Sequence, residues 1–203
     1  MKALLWIVVI IVVIVAAVLI FSPRAPKDVQ QATIGDSPTA TSQTTGTTNT
    51  DVQPIAVTSF GFTGYGPGKS HVGTFNQYEV SNATVDSNGV PTAGTVTFFT
   101  KSITTDSEML SGHLTDKKEF LDSATYPTIV FALTDVTDIK EGTFQITGDL
   151  TIKGKTKQIG FPLQAKADKT FTSEFRVDMT QFGFAAPGIV DKEALITFSG
   201  NVL

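Results

Sequence analysis

The 203-residue chain has no cysteine, which excludes disulfides, thiolate metal sites, cysteine catalysis and an acylated cysteine behind an apolar leader. Its two histidines show no His-x-x-x-His spacing, and no Gly-x-Ser-x-Gly elbow is present, so we expect neither a metal centre nor an enzyme. Fifteen basic residues stand against 19 acidic ones, a formal net charge of −4. Without a basic surplus, nucleic acid is not an expected partner.

The first notable feature of the sequence is a long apolar segment near its start. Residues 3–21 carry no charge and would span roughly 28 Å as a helix, close to a bilayer core. A cleaved signal peptide is the alternative, but its apolar core is shorter, and Ser22-Pro23-Arg24 is a poor cleavage site. We therefore predict a single-pass signal-anchor over residues 1–21. Lys2 lies before the apolar run, and Arg24 and Lys27 lie after it. Because positive charges stand on both sides, the positive-inside rule gives no clear orientation for the predicted anchor.

The short segment before the apolar run and the long polar part after it favour export of the C-terminal part. We expect a cell-membrane protein with its C-terminal domain outside the cytoplasm, periplasmic or at the cell surface. Residues 22–52 are rich in Thr, Ser, Gln and Pro, and no aromatic residue lies between Phe21 and Phe60. This composition predicts a disordered linker with a root-mean-square reach of about 30 Å.

Residues 53–203 hold 14 of the 15 phenylalanines and predict one domain. The clearest pattern is Phe144–Leu163, which alternates apolar and polar residues on either side of Gly154-Lys155 and so predicts a β-hairpin. Gly148 on its apolar face marks either a bend or room for a ligand. Residues 102–126 predict a short helical insertion that Asp106 could cap. The other predicted strands are Ile55–Phe62, Val72–Val80, Gly94–Lys101, Thr128–Val136, Phe171–Met179 and Ala194–Val202.

Eight strands joined mostly by short turns indicate an all-β fold, an antiparallel sandwich or a closed barrel. An eight-stranded barrel is either filled by side chains or able to hold one small ligand. An interior rich in Phe, Ile, Leu and Val would hold an apolar chain, at about 0.8 kcal/mol for each buried methylene. The candidate ligand-contact residues, which could equally fill a core, are Phe60, Phe62, Phe75, Phe98, Leu110, Leu114, Phe120, Phe131, Phe144, Ile146, Phe161, Phe175 and Phe198. His71 is a candidate head-group contact at the mouth.

Several short sequence blocks occur together and in a fixed order, and in this the chain resembles the YceI-like family of lipid-binding proteins. They are Lys69–Phe75, Gly94–Val96 with Lys101–Asp106, Leu114 with Glu119–Asp122, Tyr126–Phe131, Gly148–Lys157 and Phe182-Gly183. The resemblance covers roughly residues 55–203. It implies an extended, lipocalin-like antiparallel barrel, here predicted with eight strands, that binds an isoprenoid or other long-chain amphiphile, usually in the periplasm or outside the cell.

The chain also departs from the family pattern. The paired Phe-Phe-Asp is Phe120-Leu121-Asp122 here, and the arginine often found before the late Phe-Gly is missing from the run Asp178–Gly183. Because an arginine there could meet an anionic head group, its absence argues against phosphate recognition.

The sequence thus predicts a membrane-tethered protein that sequesters or transports an isoprenoid-type lipid, such as a polyisoprenoid or a quinone-like molecule, without a cofactor. The alternative is a structural or adhesive β-domain on a stalk, with a filled core. The oligomeric state is left open, with a homodimer as one option.

Overall fold

The computed structural model describes residues 22–37, 55–86, 90–140, 142–186 and 190–202. The predicted anchor at residues 1–21 and the second part of the predicted linker, residues 38–52, lie outside these ranges. Within the described part of the chain, no helix combines the length and apolar character needed to cross a membrane.

The described chain forms one sheet of eleven strands and carries one short α-helix, α1 (Glu108–Asp116). Short 3₁₀ helices occupy Thr100–Ser102 and Met179–Phe182. The strands are β1 (Thr33–Asp36), β2 (Ile55–Gly66), β3 (Lys69–Phe75), β4 (Tyr78–Val85), β5 (Pro91–Phe99), β6 (Ile103–Thr105), β7 (Thr128–Lys140), β8 (Thr143–Ile152), β9 (Lys155–Ala165), β10 (Thr170–Asp178) and β11 (Glu193–Val202).

The all-β class, the antiparallel pairing and the helical insertion are confirmed, whereas the count of eight strands is wrong. The predicted strand Val72–Val80 is two strands, because the backbone amides of Asn76 and Gln77 bond to Ser102 and the chain then changes neighbours. The other additions are β1 and the three-residue β6. Neither gives enough alternation to be seen in sequence.

The sheet curves into a barrel with the strand order β4-β5-β7-β8-β9-β10-β11-β2-β3-β6. No ladder joins β4 to the first half of β2 among the described residues, so the barrel has an open seam. At this seam the Tyr78 hydroxyl donates to the Val57 carbonyl at 2.6 Å. One end of the barrel carries α1, the β2–β3 turn at Pro67–Gly68 and residues 179–186 and 190–193, and we call it the helix end. The opposite, hairpin end carries the last residues of β4, β7 and β9 and the first residues of β5, β8 and β10.

The hairpin predicted at Phe144–Leu163 is present as β8 and β9, which pair along ten successive positions from Thr143↔Gln164 to Ile152↔Lys155. Its turn is Lys153-Gly154, both with positive φ. Gly148 leaves no room for a ligand, because the ring of Phe131 fills that space. A Cβ at Gly148 would lie 2.4 Å from this ring. An aromatic ring laid over a neighbouring glycine is a known way to fix strand pairing.

The other edge of β9 is different. Only Ala165 and Gln164 pair with β10, after which the two strands diverge. Residues 22–37, which we call the N-terminal strap, fill the gap. Strand β1 pairs with residues 157–160 of β9, and Gln31 bridges in parallel to Arg176 of β10.

Hydrogen bonds hold the strap on both sides of the gap. The Arg176 amide donates to the Gln30 carbonyl at 2.9 Å, and the Ala32 amide donates to the Arg176 carbonyl at 2.8 Å. Ala32 is 5% exposed and belongs to the core cluster, with Ile34 packed against it. The prediction of a disordered linker is therefore wrong for residues 22–37, because Gln30–Asp36 find backbone partners on β9 and β10 that composition does not reveal.

Candidate functional site

The barrel encloses a cavity of about 480 Å³. This volume falls within the roughly 300–1,000 Å³ of small-molecule sites and far exceeds a packing defect. Inward-facing side chains of every strand except β1 contribute to its wall, and most of them are apolar. Exposed Pro67 and Lys192 are part of the lining, so the cavity reaches the surface at the helix end.

Two aromatic groups shape the cavity wall. One lies beside the seam, where the ring centroid of Phe98 is 4.5 Å from that of Phe60 and 5.4 Å from that of Phe75. The other lies on the opposite wall, where Phe161 stacks on Phe175 with centroids 4.3 Å apart and an angle of 8° between the planes. Such contacts fix the rings, so the two groups give the cavity a defined shape.

Thirteen of the fourteen candidate residues predicted from sequence line this one cavity. They are Phe60, Phe62, His71, Phe75, Phe98, Leu110, Leu114, Phe120, Phe131, Ile146, Phe161, Phe175 and Phe198. Phe144 does not line it. It lies at the hairpin end of β8, opposite Leu163, and packs against the core cluster. Contact of any of these residues with a ligand stays a prediction.

Sequence reasoning missed a second set of lining residues. Tyr65, Met179, Phe184 and residues 190–193 close the cavity at the helix end, where the chain is mostly turn and loop. Alternation cannot assign an inward face to Met179, Phe184 or residues 190–192, because they lie outside the strands, and Tyr65 is out of phase with Phe60 and Phe62 on β2. Other lining residues could have been identified from the pattern, since Phe171 and Val177 alternate in phase with Phe175 on β10 and Leu133 does so with Phe131 on β7.

The polar lining side chains collect at the helix end. They are Tyr65, His71, Thr180, Asp191, Lys192 and Glu193, while the hairpin end is lined by residues such as Val57, Val80, Ala83 and Ala93. Burial raises the pKa of Tyr65, and the carboxylates of Asp191 and Glu174 raise it further. Tyr65 therefore stays a neutral phenol able to donate a hydrogen bond.

His71 is held by an acidic partner at this end. Its Nδ1 lies 2.7 Å from Oδ1 of Asp106, which fixes the ring. Asp106 therefore does not cap α1. Ser107 does so instead, with its hydroxyl accepting from the Leu110 amide at 3.4 Å.

A charged pair between Lys192 and the buried Asp178 lies at the same end. Lys192 Nζ donates to Asp178 Oδ2 at 2.8 Å. Burial pushes the pKa of Asp178 up, but hydrogen bonds from Lys192 and Thr180 outweigh this and hold the pKa below its ordinary value. Asp178 therefore stays ionised and keeps Lys192 at the rim. Among the described residues, no group of three His, Asp or Glu side chains could hold a metal ion.

A curved antiparallel sheet around an apolar cavity with one polar end defines the class, a β-barrel binding protein. The family model described as "YceI-like domain" matches residues 38–202. The chain therefore belongs to the YceI-like family, which confirms the resemblance seen in the sequence. The N-terminal strap lies before the matched region.

Solved structures share this fold. BcnA of Burkholderia cenocepacia is 20% identical over 71% of this chain and 95% of its own, with a TM-score of 0.63. The Campylobacter jejuni YCEI protein is 21% identical over 64% and 84%, with a TM-score of 0.54. A polyisoprenoid-binding domain from Saccharophagus degradans, implicated in plant cell wall breakdown, is 10% identical over 74% and 99%, with a TM-score of 0.53. No curated protein matches the chain.

Proposed function

We propose that this protein holds an isoprenoid-type or other long-chain amphiphilic lipid in its barrel cavity, for sequestration or transport, and is not an enzyme. The observation that carries the proposal is the apolar cavity of about 480 Å³ with its polar side chains confined to one end. An amphiphile has the matching division into an apolar tail and a polar head. The Saccharophagus degradans relative, whose fold is shared, is described as a polyisoprenoid-binding domain.

The energetics of this cavity suit a hydrocarbon tail. Each methylene moved from water into an apolar site contributes about 0.8 kcal/mol, so a ten-carbon segment gives roughly 8 kcal/mol before the costs of ordering it. A structural or adhesive domain, the alternative function, would be expected to fill its core with side chains, and an unfilled apolar volume of this size would cost it stability.

The helix end would then hold the head group. His71 is fixed by Asp106 and can present its second ring nitrogen, while Tyr65 offers a neutral hydroxyl. Among the lining residues Lys192 is the one lysine or arginine, but Asp178 binds its ammonium group. This arrangement favours an uncharged, hydrogen-bonding head group such as a quinone or an alcohol over a phosphate.

We further propose that residues 1–21 anchor the protein in the cell membrane and that the barrel lies outside the cytoplasm. The proposal is supported by the uncharged length of residues 3–21 and by the polar character of the chain that follows.

The test is photo-crosslinking of the full chain to a benzophenone-bearing polyisoprenoid, with the modified peptides mapped by mass spectrometry. Leu133 lines the cavity on β7, and the next residue, Thr134, is exposed. We expect crosslinks on cavity-lining peptides to fall more than about tenfold in Leu133→Glu, because a carboxylate in an apolar site costs well over 1.4 kcal/mol. Thr134→Glu adds the same charge outside and should crosslink normally.

A second variant tests the same prediction in case Leu133→Glu does not fold. Ala93→Trp fills the cavity without adding charge, and it should also lower crosslinking while circular dichroism remains unchanged. Crosslinks confined to the outer surface, or equal crosslinking in all four proteins, would exclude a lipid site in the cavity. Competition with an excess of unlabelled quinone or polyprenol then shows which head group is preferred, since the better competitor lowers crosslinking more.

A further inference from the structure

Three large apolar side chains are more than half exposed among the described residues, and two of them lie at the helix end. Met109 is 72% exposed and precedes Leu110 on α1, while Val72 is 57% exposed and follows His71 on β3. Both Leu110 and His71 line the cavity. The Asp106 amide donates to the Val72 carbonyl at 3.0 Å, which ties the approach to α1 to β3. Val72 and Met109 are therefore exposed apolar side chains on the outer surface at the helix end, each next in sequence to a residue that lines the cavity, and we call this pair the apolar rim.

The third side chain is Ile139, which is 55% exposed and lies at the hairpin end of β7. The residue ten positions earlier, Ile129, lines the cavity near the helix end. Ten residues of strand span roughly 33 Å, so Ile139 and the apolar rim lie at opposite ends of the barrel.

The N-terminal strap begins at this same rim. The Ser22 hydroxyl accepts from the Gly68 amide at 3.5 Å, in the turn that follows the cavity-lining residue Pro67. Three residues later, the Ala25 amide donates to Oδ2 of Asp191 at 3.0 Å, and Asp191 also lines the cavity. Ser22 directly follows the uncharged run of residues 3–21. The chain that leaves this run is thus fastened to the mouth of the cavity with no free linker between them.

We propose that the helix end of the barrel docks on the surface of the bilayer that residues 3–21 enter, with Val72 and Met109 in contact with lipid. This rests on the proposed membrane anchor, because Ser22 can lie at the mouth and at the membrane surface only if residues 3–21 occupy the membrane. The polar residues of the cavity then face the lipid head groups, and a tail passes between the bilayer and the apolar interior without crossing water.

The partner of the rim is a lipid surface and not a second protein, for two reasons. The strap fixes the rim beside the point where the chain would enter the bilayer. The apolar residues at the rim are also few and flank an open cavity, whereas a stable protein interface needs a broad, closely packed patch. Asp106 and Glu108 beside Met109 make the rim locally acidic, so contact would rest on the apolar side chains and not on attraction to anionic lipid.

The experiment places one fluorophore at each exposed apolar position of the full chain. Since the protein has no cysteine, Val72→Cys, Met109→Cys and Ile139→Cys each give a single labelling site. The variants are labelled with bimane and reconstituted in vesicles of phosphatidylcholine, with or without bromine on the acyl chains. Bromine quenches a fluorophore only at short range. The single tryptophan, Trp6, lies within residues 3–21 and reports on the anchor in the same samples.

We expect brominated lipid to quench bimane at positions 72 and 109 about twofold, since rim side chains would sit roughly 5–10 Å into the interface, and to leave position 139 unquenched. Trp6 should be quenched in all three variants. Quenching of Trp6 without quenching at 72 and 109, or with quenching strongest at 139, would overturn the docked orientation. An unquenched Trp6 would overturn it too, since the anchor on which it rests would be absent. Docking without lipid crosslinking would leave the orientation standing and remove the proposed cavity ligand.

Discussion

Strand β9 has two neighbours, and they are built in different ways. Towards β8 it pairs along ten successive positions through a two-residue turn, so the partners are close in sequence. Towards β10 it pairs at only two positions, and residues more than 120 positions away complete the sheet, with Thr33 opposite Gly160 and Asp36 opposite Lys157. One edge is thus specified locally and the other is closed by the N-terminal strap.

The difference implies different responses to damage. A destabilising substitution in the β8–β9 hairpin disturbs central strands of the continuous sheet, so it should lower the stability of the whole barrel. A fault in the strap can be relieved by release of residues 22–37, which leaves the antiparallel ladders of the barrel intact. The strap should therefore behave as a separate unit of lower stability, although it connects the cavity mouth to the proposed anchor.

The largest effect is expected from Gly148→Val in the hairpin. A Cβ there would lie 2.4 Å from the Phe131 ring and 2.6 Å from the Ala132 carbonyl oxygen, so both the ring and the backbone of β7 must move. We expect a loss of about 3 kcal/mol in the free energy of unfolding, at the upper end for an overpacked core. Denaturant unfolding of the full chain in lipid nanodiscs, followed by circular dichroism, measures it.

Gly35→Val in the strap is the matched control. A Cβ at Gly35 has nothing within 4 Å, so this substitution should change stability by less than about 0.5 kcal/mol. Equal losses at Gly148 and Gly35 would show that the hairpin and the strap are not distinguished in the way we infer.

The same contrast explains what could be predicted from the sequence. The β8–β9 hairpin was predicted because Phe144, Ile146, Leu150 and Ile152 alternate in a continuous run, which is a local signal. The cavity residues followed from the same rule, since inward faces of barrel strands converge. Phe144 lies outside the cavity lining because alternation identifies an inward face but does not give a residue's position along the barrel.

The strap could not be predicted because its signal is not in its own composition. Ala32 is buried through contacts with β9 and β10, and an alanine among Thr, Gln and Pro looks like a linker residue. The polar end of the cavity was missed for a related reason. Met179, Phe184 and residues 190–193 come next to the end of β2 only after the sheet has curved, and Tyr65 becomes a wall residue through such long-range contacts, among them the hydrogen bond from the Asp191 amide to its carbonyl.

An intermediate effect is expected from Ala32→Asp. Burying a carboxylate without a partner costs more than the short strap gains from docking, so residues 22–37 should detach while the barrel stays folded. Hydrogen exchange should then accelerate at the amides of Ala32 and Arg176, which bond between strap and β10, and stay slow in β8. Thr33→Asp adds the same charge at an exposed neighbour and should leave exchange unchanged. Cooperative loss of protection in β8 as well would contradict a separable strap.

The smallest effect is a change in one exposed carboxyl group. The hydrogen bond from Lys157 on β9, at 2.6 Å, and the positive charge of Lys157 hold the pKa of Asp36 below its ordinary value of 3.8. Because the folded-state pKa is the lower one, this contact favours the docked strap above about pH 3.8 and is lost as the pH falls through the folded-state pKa.

Asp36 should therefore report docking of the strap in a carboxyl-carbon NMR titration. In the unmodified chain its pKa should lie below 3.8, and in Ala32→Asp it should return to the ordinary value, because a detached strap leaves Lys157 without its partner. Asp168 is the internal control. Its pKa is also lowered, by hydrogen bonds from Thr170 at the start of β10, and should be the same in both proteins. If the pKa of Asp36 stays low in Ala32→Asp while Ala32 and Arg176 exchange quickly, β1 holds to β9 without the rest of the strap, and the strap is two units and not one.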